Sequence, residues 1–190
     1  MTTMTIMSPM SSKRTHTPAP RTSSETLDVS IATSTLGLVL VAATNAGVAA
    51  VLIGDDEAAL RADLAARFRG ATLRDGGTSS AALADRVVRA IDTTTGDRAS
   101  IPLDLRGTAF QRAVWRALRA IPRGSTATYA EIAKRIGQPA AARAVAQACA
   151  ANPIAVLVPC HRVVRADGGL SGYRWGVERK RALLDREAAT

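Results

Sequence analysis

Apolar residues run almost unbroken over positions 36–53, a length that suggests a membrane span, yet Thr44-Asn45-Ala46-Gly47 interrupts the run with turn chemistry. The pattern instead predicts two strands, 36–42 and 48–53, paired as a β-hairpin. Asn45 and Gly47 are expected to take the positive φ values that tight turns require. Beyond the hairpin the period lengthens. Leu60, Leu64 and Phe68 recur at i, i+4 behind Asp55-Asp56, predicting a capped helix stopped by Gly70, and Leu83, Val87 and Ile91 predict a second helix. The polar stretch 92–100, with Gly96 inside it, reads as a linker leading into a short strand over 101–105.

The second half is helical. Thr108-Ala109-Phe110-Gln111 has the form of a capping box and opens a helix that buries Phe110, Val114 and Leu118. Thr128-Tyr129-Ala130-Glu131 is a second such box, starting a helix that runs to Ile136 and stops at Gly137. Pro139 suits the first turn of a further helix over 140–150. Two short helices joined by Gly137-Gln138-Pro139 make a helix-turn-helix, whose second member is rich in alanine. An alanine face allows close approach to DNA but supplies few donors to base edges, so a sequence-tolerant binder is expected. Arg143 and Gln147, four apart, share one face of that helix.

The expected architecture is therefore an α/β (α+β) protein of two lobes: a disordered Thr/Ser/Pro-rich tail over 1–27, an amino-terminal α/β lobe over 28–98 with the hairpin, and a carboxy-terminal lobe over 101–188. The tail carries Lys13, Arg14 and Arg21 but lacks the apolar segment and cleavage site of a signal peptide. Neither a signal nor a span is expected, which suits a cytoplasmic protein.

Charge narrows the partners. A net charge of +9 over 190 residues and a pI near 10.9 favour an anionic partner, of which the phosphate backbone is the usual one. Only Cys149 and Cys160 are present, which excludes a disulfide framework and suits a reducing compartment. With two cysteines the chain cannot build a four-thiolate zinc site, and His16 and Cys149 lie near no ligand cluster, so no metal or cofactor is expected. Cys149 is expected to pack rather than react.

Val158-Pro159-Cys160-His161-Arg162-Val163-Val164 concentrates the candidate chemistry. A free thiol is only about 3% thiolate at pH 7, so a reacting cysteine needs a base or positive surroundings, and His161, Arg162 and Arg165 are candidates for both. Neighbouring side chains of an extended segment point to opposite faces, which would leave His161 to reach the Cys160 sulfur through a bridging water.

Pro159-Cys160-His161-Arg162-Val163 resembles the active-site signature of the O6-alkylguanine-DNA alkyltransferase family. The resemblance covers the chain from Pro102 to Glu187. It includes Arg106-Gly107-Thr108-Ala109-Phe110-Gln111, Ala141-Ala142-Arg143-Ala144-Val145, Asn152-Pro153 and Leu170-Ser171-Gly172-Tyr173-Arg174-Trp175-Gly176. Within the family the adaptive-response type is the most similar. The resemblance implies a ribonuclease H-like first lobe and a winged-helix-like second lobe that docks in the minor groove of double-stranded DNA. It implies one irreversible transfer of an alkyl group from guanine O6, with O4-alkylthymine a second candidate substrate, to Cys160 of a monomer. Arg143 would replace the flipped nucleotide in the stack. Tyr129 would turn the phosphate or contact the base, and the backbone at Cys160, Val163 and Arg174, with Tyr173 nearby, would meet the base edge. Gln147 would lie beside Arg143 on the recognition helix, and Asn152 would tie that helix to the active-site strand.

Glu187 would orient His161 in a triad-like relay. A carboxylate raises an imidazole's pKa, so transfer is expected to slow as pH drops through about 6 to 7. Ala155, Arg174 and Trp175, with Trp175 obstructing the pocket, would favour methyl over benzyl groups. The phosphotriester repair and transcriptional activation that accompany a cysteine-rich zinc lobe in the adaptive-response proteins are not expected. Two alternatives remain: a non-catalytic winged-helix lesion sensor, which would lack the cysteine, and a cysteine hydrolase, which would turn over.

Overall fold

The computed structural model describes residues 25–93, 98–170 and 172–189. A mixed four-stranded sheet of order β3-β2-β1-β4 is built from β1 (Thr26–Ser34), β2 (Gly37–Thr44), β3 (Gly47–Gly54) and β4 (Thr72–Asp75). Neighbours β1, β2 and β3 run antiparallel, whereas β4 pairs parallel to β1 after the crossover helix α1 (Glu57–Arg67). The predicted hairpin is β2–β3, with Thr44 opposite Gly47. Gly47 takes φ +133°, but Asn45 does not have a positive φ. The turn's left-handed position falls on Gly47, where β3 passes so close to Pro102 that a Cβ would lie 2.5 Å from its carbonyl oxygen. Leu36 belongs to the β1–β2 turn, not to a strand.

Strand β1 was not predicted, and it begins inside the segment assigned to the tail: Leu27 is fully buried. Leu27, Val29 and Ile31 alternate with polar residues, the period-two signature of a strand with one face on the core. Residues 1–24 and 94–97 lie outside the described residues, and with them most of the expected tail and the middle of the expected linker. Asp56 caps α1 by accepting from Ala59 N, and Leu60 and Leu64 are buried while Phe68 closes the helix end. Helix α2 (Thr78–Asp92) buries Val87 and Ile91, as their spacing predicts, and packs on β1 and β2.

The strand expected over 101–105 is a single parallel bridge, Leu103 to Val48. Proline at 102 has no amide hydrogen to extend it, so only Val48 N to Pro102 O and Asp104 N to Val48 O form, at 2.9 and 2.8 Å. A second bridge, Val51 to Ile154, lies on the same edge of β3, with Val51 N donating to Pro153 O and Ala155 N to Val51 O. The open edge of the sheet is thus the rail on which the carboxy-terminal segments dock.

Both capping boxes form. Thr108 and Gln111 open α3 (Ala109–Arg119), and Thr128 and Glu131 open α4 (Tyr129–Arg135). Gly107 is required where it stands, because a Cβ there would come within 2.8 Å of the Trp115 ring. Helix α5 (Ala142–Ala150) starts two residues later than predicted. Pro139 sits in a turn closed by Ala141 N to Gln138 O, and no side chain caps the helix. A two-stranded parallel pair, β5 (Ala127–Thr128) with β6 (Val163–Val164), and α6 (Val177–Ala188) complete the chain. Trp115 joins α3 to α5, its indole N–H donating to Ala148 O at 2.9 Å. Buried residues of both halves form one contiguous apolar cluster. No helix among the described residues is long and apolar enough to cross a membrane.

Gly47→Ala should lower stability by at least about 2 kcal/mol, since it combines a strained φ with a backbone clash. Urea denaturation checks this, and an unchanged midpoint would show that β3 does not need the close approach.

Candidate functional site

Cys160, His161 and Arg162 form a single 3-10 turn, not the extended segment expected from sequence. The approach to it is unusual. Val156 adopts φ +63°, a conformation costly for a β-branched residue, while fully buried. Leu157 N donates to Ala155 O and Cys160 N to Val158 O, so the chain coils tightly into the turn. Asn152 holds this coil. Its Nδ2 donates to Val158 O at 2.9 Å, to Ile154 O at 3.2 Å and to Cys160 Sγ at 3.3 Å, and its Oδ1 accepts from Ile154 N. Because Asn152 directly follows the end of α5, it couples that helix to the cysteine.

The Cys160 thiol lines a cavity of about 340 Å³ together with Tyr129, Ala146, Cys149, Ala150, Gly172, Tyr173 and Arg174. Burial pushes its pKa up to about 11, opposed by the Asn152 hydrogen bond and the Lys180 charge. The nearby cation is Lys180, not Arg162 or Arg165. Arg162 turns away to Glu187, and exposed Arg165 pairs with Asp167. Lys180 is buried and donates to Val163 O at 2.6 Å. It lies on the α6 face that also carries Leu183 and Glu187, so a charged residue at a core-facing position is the sequence signal that would have revealed it. Cys149, buried in the cavity wall, has its thiol pushed up to about 12, chiefly by burial.

Behind the cysteine lies an ion cluster. His161 Nε2 faces Glu187 Oε1 at 3.2 Å. Arg162 donates to both Glu187 oxygens, at 2.8 and 2.9 Å, and to Ile121 O. Arg98 adds a further bond to Oε1 at 2.9 Å. Burial alone would raise the Glu187 pKa, but His161, Arg162 and Arg98 hold it well below the usual carboxylate range. An ionised Glu187 accepts only, so His161 carries its proton on Nε2. His161 Nδ1 is buried and meets no hydrogen-bonding atom among the described residues. Contrary to the expectation from the carboxylate alone, the imidazole's pKa is lowered: burial dominates, Glu187 opposes it, and the charges of Arg162 and Arg98 add to it.

Helix α5 presents Arg143, Ala146, Gln147 and Ala150 at i, i+3, i+4 and i+7. Exposed Arg143 and Gln147 therefore share the face whose alanines line the cavity. Lys134 and Arg135 are exposed at the end of α4. Tyr173, its hydroxyl buried, stacks edge-on against Trp175 with ring centroids 5.1 Å apart. Trp175 does not line the cavity that contains Cys160. It faces a neighbouring hollow against Leu60 and Asp63, and acts on the first cavity only by backing Tyr173. Arg174 stands at the rim, paired with Asp63 of α1 at 2.6 Å. Ser171 lies outside the described residues.

Residues 109–189 match the family described as 6-O-methylguanine DNA methyltransferase, DNA binding domain. The chain is 49% identical over 156 residues to the bifunctional transcriptional activator/DNA repair enzyme Ada of Escherichia coli, a match covering 80% of this chain and 43% of that protein. It is 60% identical over 87 residues to the methylated-DNA–protein-cysteine methyltransferase of Mycobacterium bovis, covering 46% and 53%. The chain thus spans about half the length of the curated relatives it matches. Among solved structures, the O6-methylguanine methyltransferase of Mycobacterium tuberculosis superposes with a TM-score of 0.67 at 36% identity, covering 86% of this chain and 93% of that one. A DNA complex of the Mycobacterium tuberculosis protein gives 0.68 at 37%.

The ion cluster sets an acid limit on stability. His161 has a lowered folded pKa, so below its ordinary value near 6.5 the unfolded chain binds more protons and folding weakens; ionised Glu187 is lost only at lower pH still. The melting temperature should fall between about pH 7 and pH 5, and His161→Gln should flatten that interval. An equal slope in the variant would show that His161 does not titrate as its surroundings require.

Proposed function

Since the chain belongs to the O6-alkylguanine-DNA alkyltransferase family, that of the O6-methylguanine DNA methyltransferases, we propose that it repairs alkylated double-stranded DNA by direct reversal. It moves an alkyl group, methyl foremost, from guanine O6 to Cys160, once per molecule. The observation that carries this is the buried Cys160 thiol lining a cavity whose wall continues outward as the exposed Arg143 face of α5. A base atom inside a duplex can reach a buried sulfur only if its nucleotide is extruded, and an exposed arginine one turn from the cavity is placed to occupy the gap.

A thiol at about 11 is ionised in only about one molecule in ten thousand at pH 7, so attack requires a base. Neutral His161, proton on Nε2, takes the Cys160 proton at Nδ1 through one water. The sulfur electron pair forms the bond to the alkyl carbon as the carbon–O6 bond breaks, and that bond's pair stays on the guanine. The leaving base takes a proton from the Tyr129 hydroxyl, which the imidazolium restores through solvent. Lys180 steadies the developing thiolate. Asn152 fixes the sulfur, while Val163, Tyr173 and Arg174 border the base. The thioether product has no good leaving group, so turnover ends; hydrolase turnover and a sensor lacking the cysteine are both disfavoured.

The finer architecture belongs to the same proposal. Strand order β3-β2-β1-β4 with β4 parallel to β1 supports a ribonuclease H-like lobe over 28–98, and α3 to α5 with the β5–β6 pair support a winged-helix-like lobe over 101–188. The chain would act as a cytoplasmic monomer.

Peptide mass spectrometry after reaction with an O6-methylguanine duplex should place one added methylene on Cys160. Modification of Cys149, or multiple turnovers by unmodified protein, would overturn the proposal. Arg143→Ala should slow repair of duplex by at least about tenfold while barely changing reaction with free O6-alkylguanine base. Equal slowing of both substrates would remove Arg143 from the extrusion step.

A further inference from the structure

Arg98 is not part of the active-site motif, yet it reaches the relay from the other half of the chain. Its Nε donates to Ala90 O at 2.9 Å, near the end of α2, and its Nη1 to Glu187 Oε1 at 2.9 Å. The bonded carboxylate oxygen is the one that faces His161 Nε2. The side chain is 16% exposed and that of Glu187 only 2%, so the bond is largely withdrawn from water, where screening does not erase it. A second tie runs beside it: Arg186, preceding Glu187 on α6, donates to Ile91 O at 2.9 Å and to Thr35 Oγ1 at 3.0 Å. Both arginines bind α6 to the end of α2.

We propose that Arg98 is a positioning residue for alkyl transfer, the link through which the amino-terminal sheet and α2 hold Glu187, and through it His161, in working geometry. Arg162 alone could neutralise the carboxylate, since it contacts both oxygens. What Arg98 adds is a fixed point on α2, which stops the carboxylate from rotating with Arg162 about the α6 backbone. It also adds a second positive charge near the imidazole. The charged groups facing His161 are Glu187 from α6, Arg162 from its own turn and Arg98 from the segment after α2. Glu187 favours protonation of the ring, and both arginines oppose it. Losing Arg98 removes opposition and admits water, and both changes raise the imidazole's pKa. Less of the ring is then neutral at a given pH, and its orientation is looser.

The inference rests on the alkyl-transfer reading, and its test keeps the two apart. Single-turnover transfer to Cys160 at saturating duplex, DNA affinity and the His161 titration by NMR would be measured in the unmodified chain, Arg98→Ala and Arg98→Lys. Arg98→Ala should slow transfer on the order of tenfold, a fraction of the roughly 100- to 10,000-fold that a positioned general base supplies, with DNA affinity unchanged. Its acid limb and His161 titration should both move to higher pH, and Arg98→Lys should recover part of the rate. If Arg98→Ala melts too early to assay, the Arg98→Lys profile and titration decide alone, with a smaller shift in the same direction expected. Profiles and titrations that superimpose on the parent's overturn the proposal, as does a rate loss matched by an equal loss of DNA affinity. Absence of transfer in the unmodified chain would sink the alkyl-transfer reading, while the His161 titration would still report whether Arg98 acts on the ring.

Discussion

A buried carboxylate is tolerable only if its charge is answered, and Glu187 is answered by Arg162, Arg98 and the His161 ring. Breaking such a cluster by removing one partner typically costs about 3–5 kcal/mol, because the remaining charge is stranded away from water. The site depends on this constraint. With Glu187 fixed as an anion, the imidazole must present N–H toward it, and the opposite nitrogen is left as the proton acceptor. Burial above all, with the two arginines adding to it against the pull of Glu187, makes the ring resist protonation, so the imidazole stays neutral below the pH at which an ordinary histidine would be half charged.

The fold delivers these groups from separate parts of the chain. The outer edge of β3 carries both the Pro102–Asp104 segment and the Pro153–Ala155 segment, which bury it, so the sheet seats the strained coil leading to Cys160. Asn152 converts the end of α5 into the other wall of that coil. The same helix therefore presents Arg143 outward and, through Asn152, sets the sulfur inward.

Much of this was legible in sequence where the physics is local. Capping boxes at Thr108 and Thr128 satisfy their own backbone donors, and the hairpin over β2–β3 follows from an apolar run broken by turn residues. The cysteine and its histidine stand out because their neighbours are unusual. What was not legible depends on long-range placement. The turn at Cys160 reads as extended because Val163 and Val164 favour strands, whereas Asn152 and the bonds around Val156 impose a coil. The sequence points to a raised His161 pKa because Glu187 is legible as its partner, whereas the burial that lowers it and the approach of Arg98 exist only in the folded chain. Arg98 lies within the polar stretch that resembles a linker, and only the folded chain brings it to Glu187. Lys180 hides between Arg179 and Arg181, and the short alternation of Leu27, Val29 and Ile31 in β1 abuts the Thr/Ser-rich tail, whose composition masks it.

The most direct measurement is the pH dependence of the single-turnover rate of methyl transfer to Cys160 at saturating duplex. A relay with a neutral, desolvated His161 predicts a rate that holds steady down through about pH 6.5 and falls only below it. A rate already falling as pH drops through about 7 to 8 would mean that the imidazole is readily protonated, and that the buried ion cluster does not keep the base neutral.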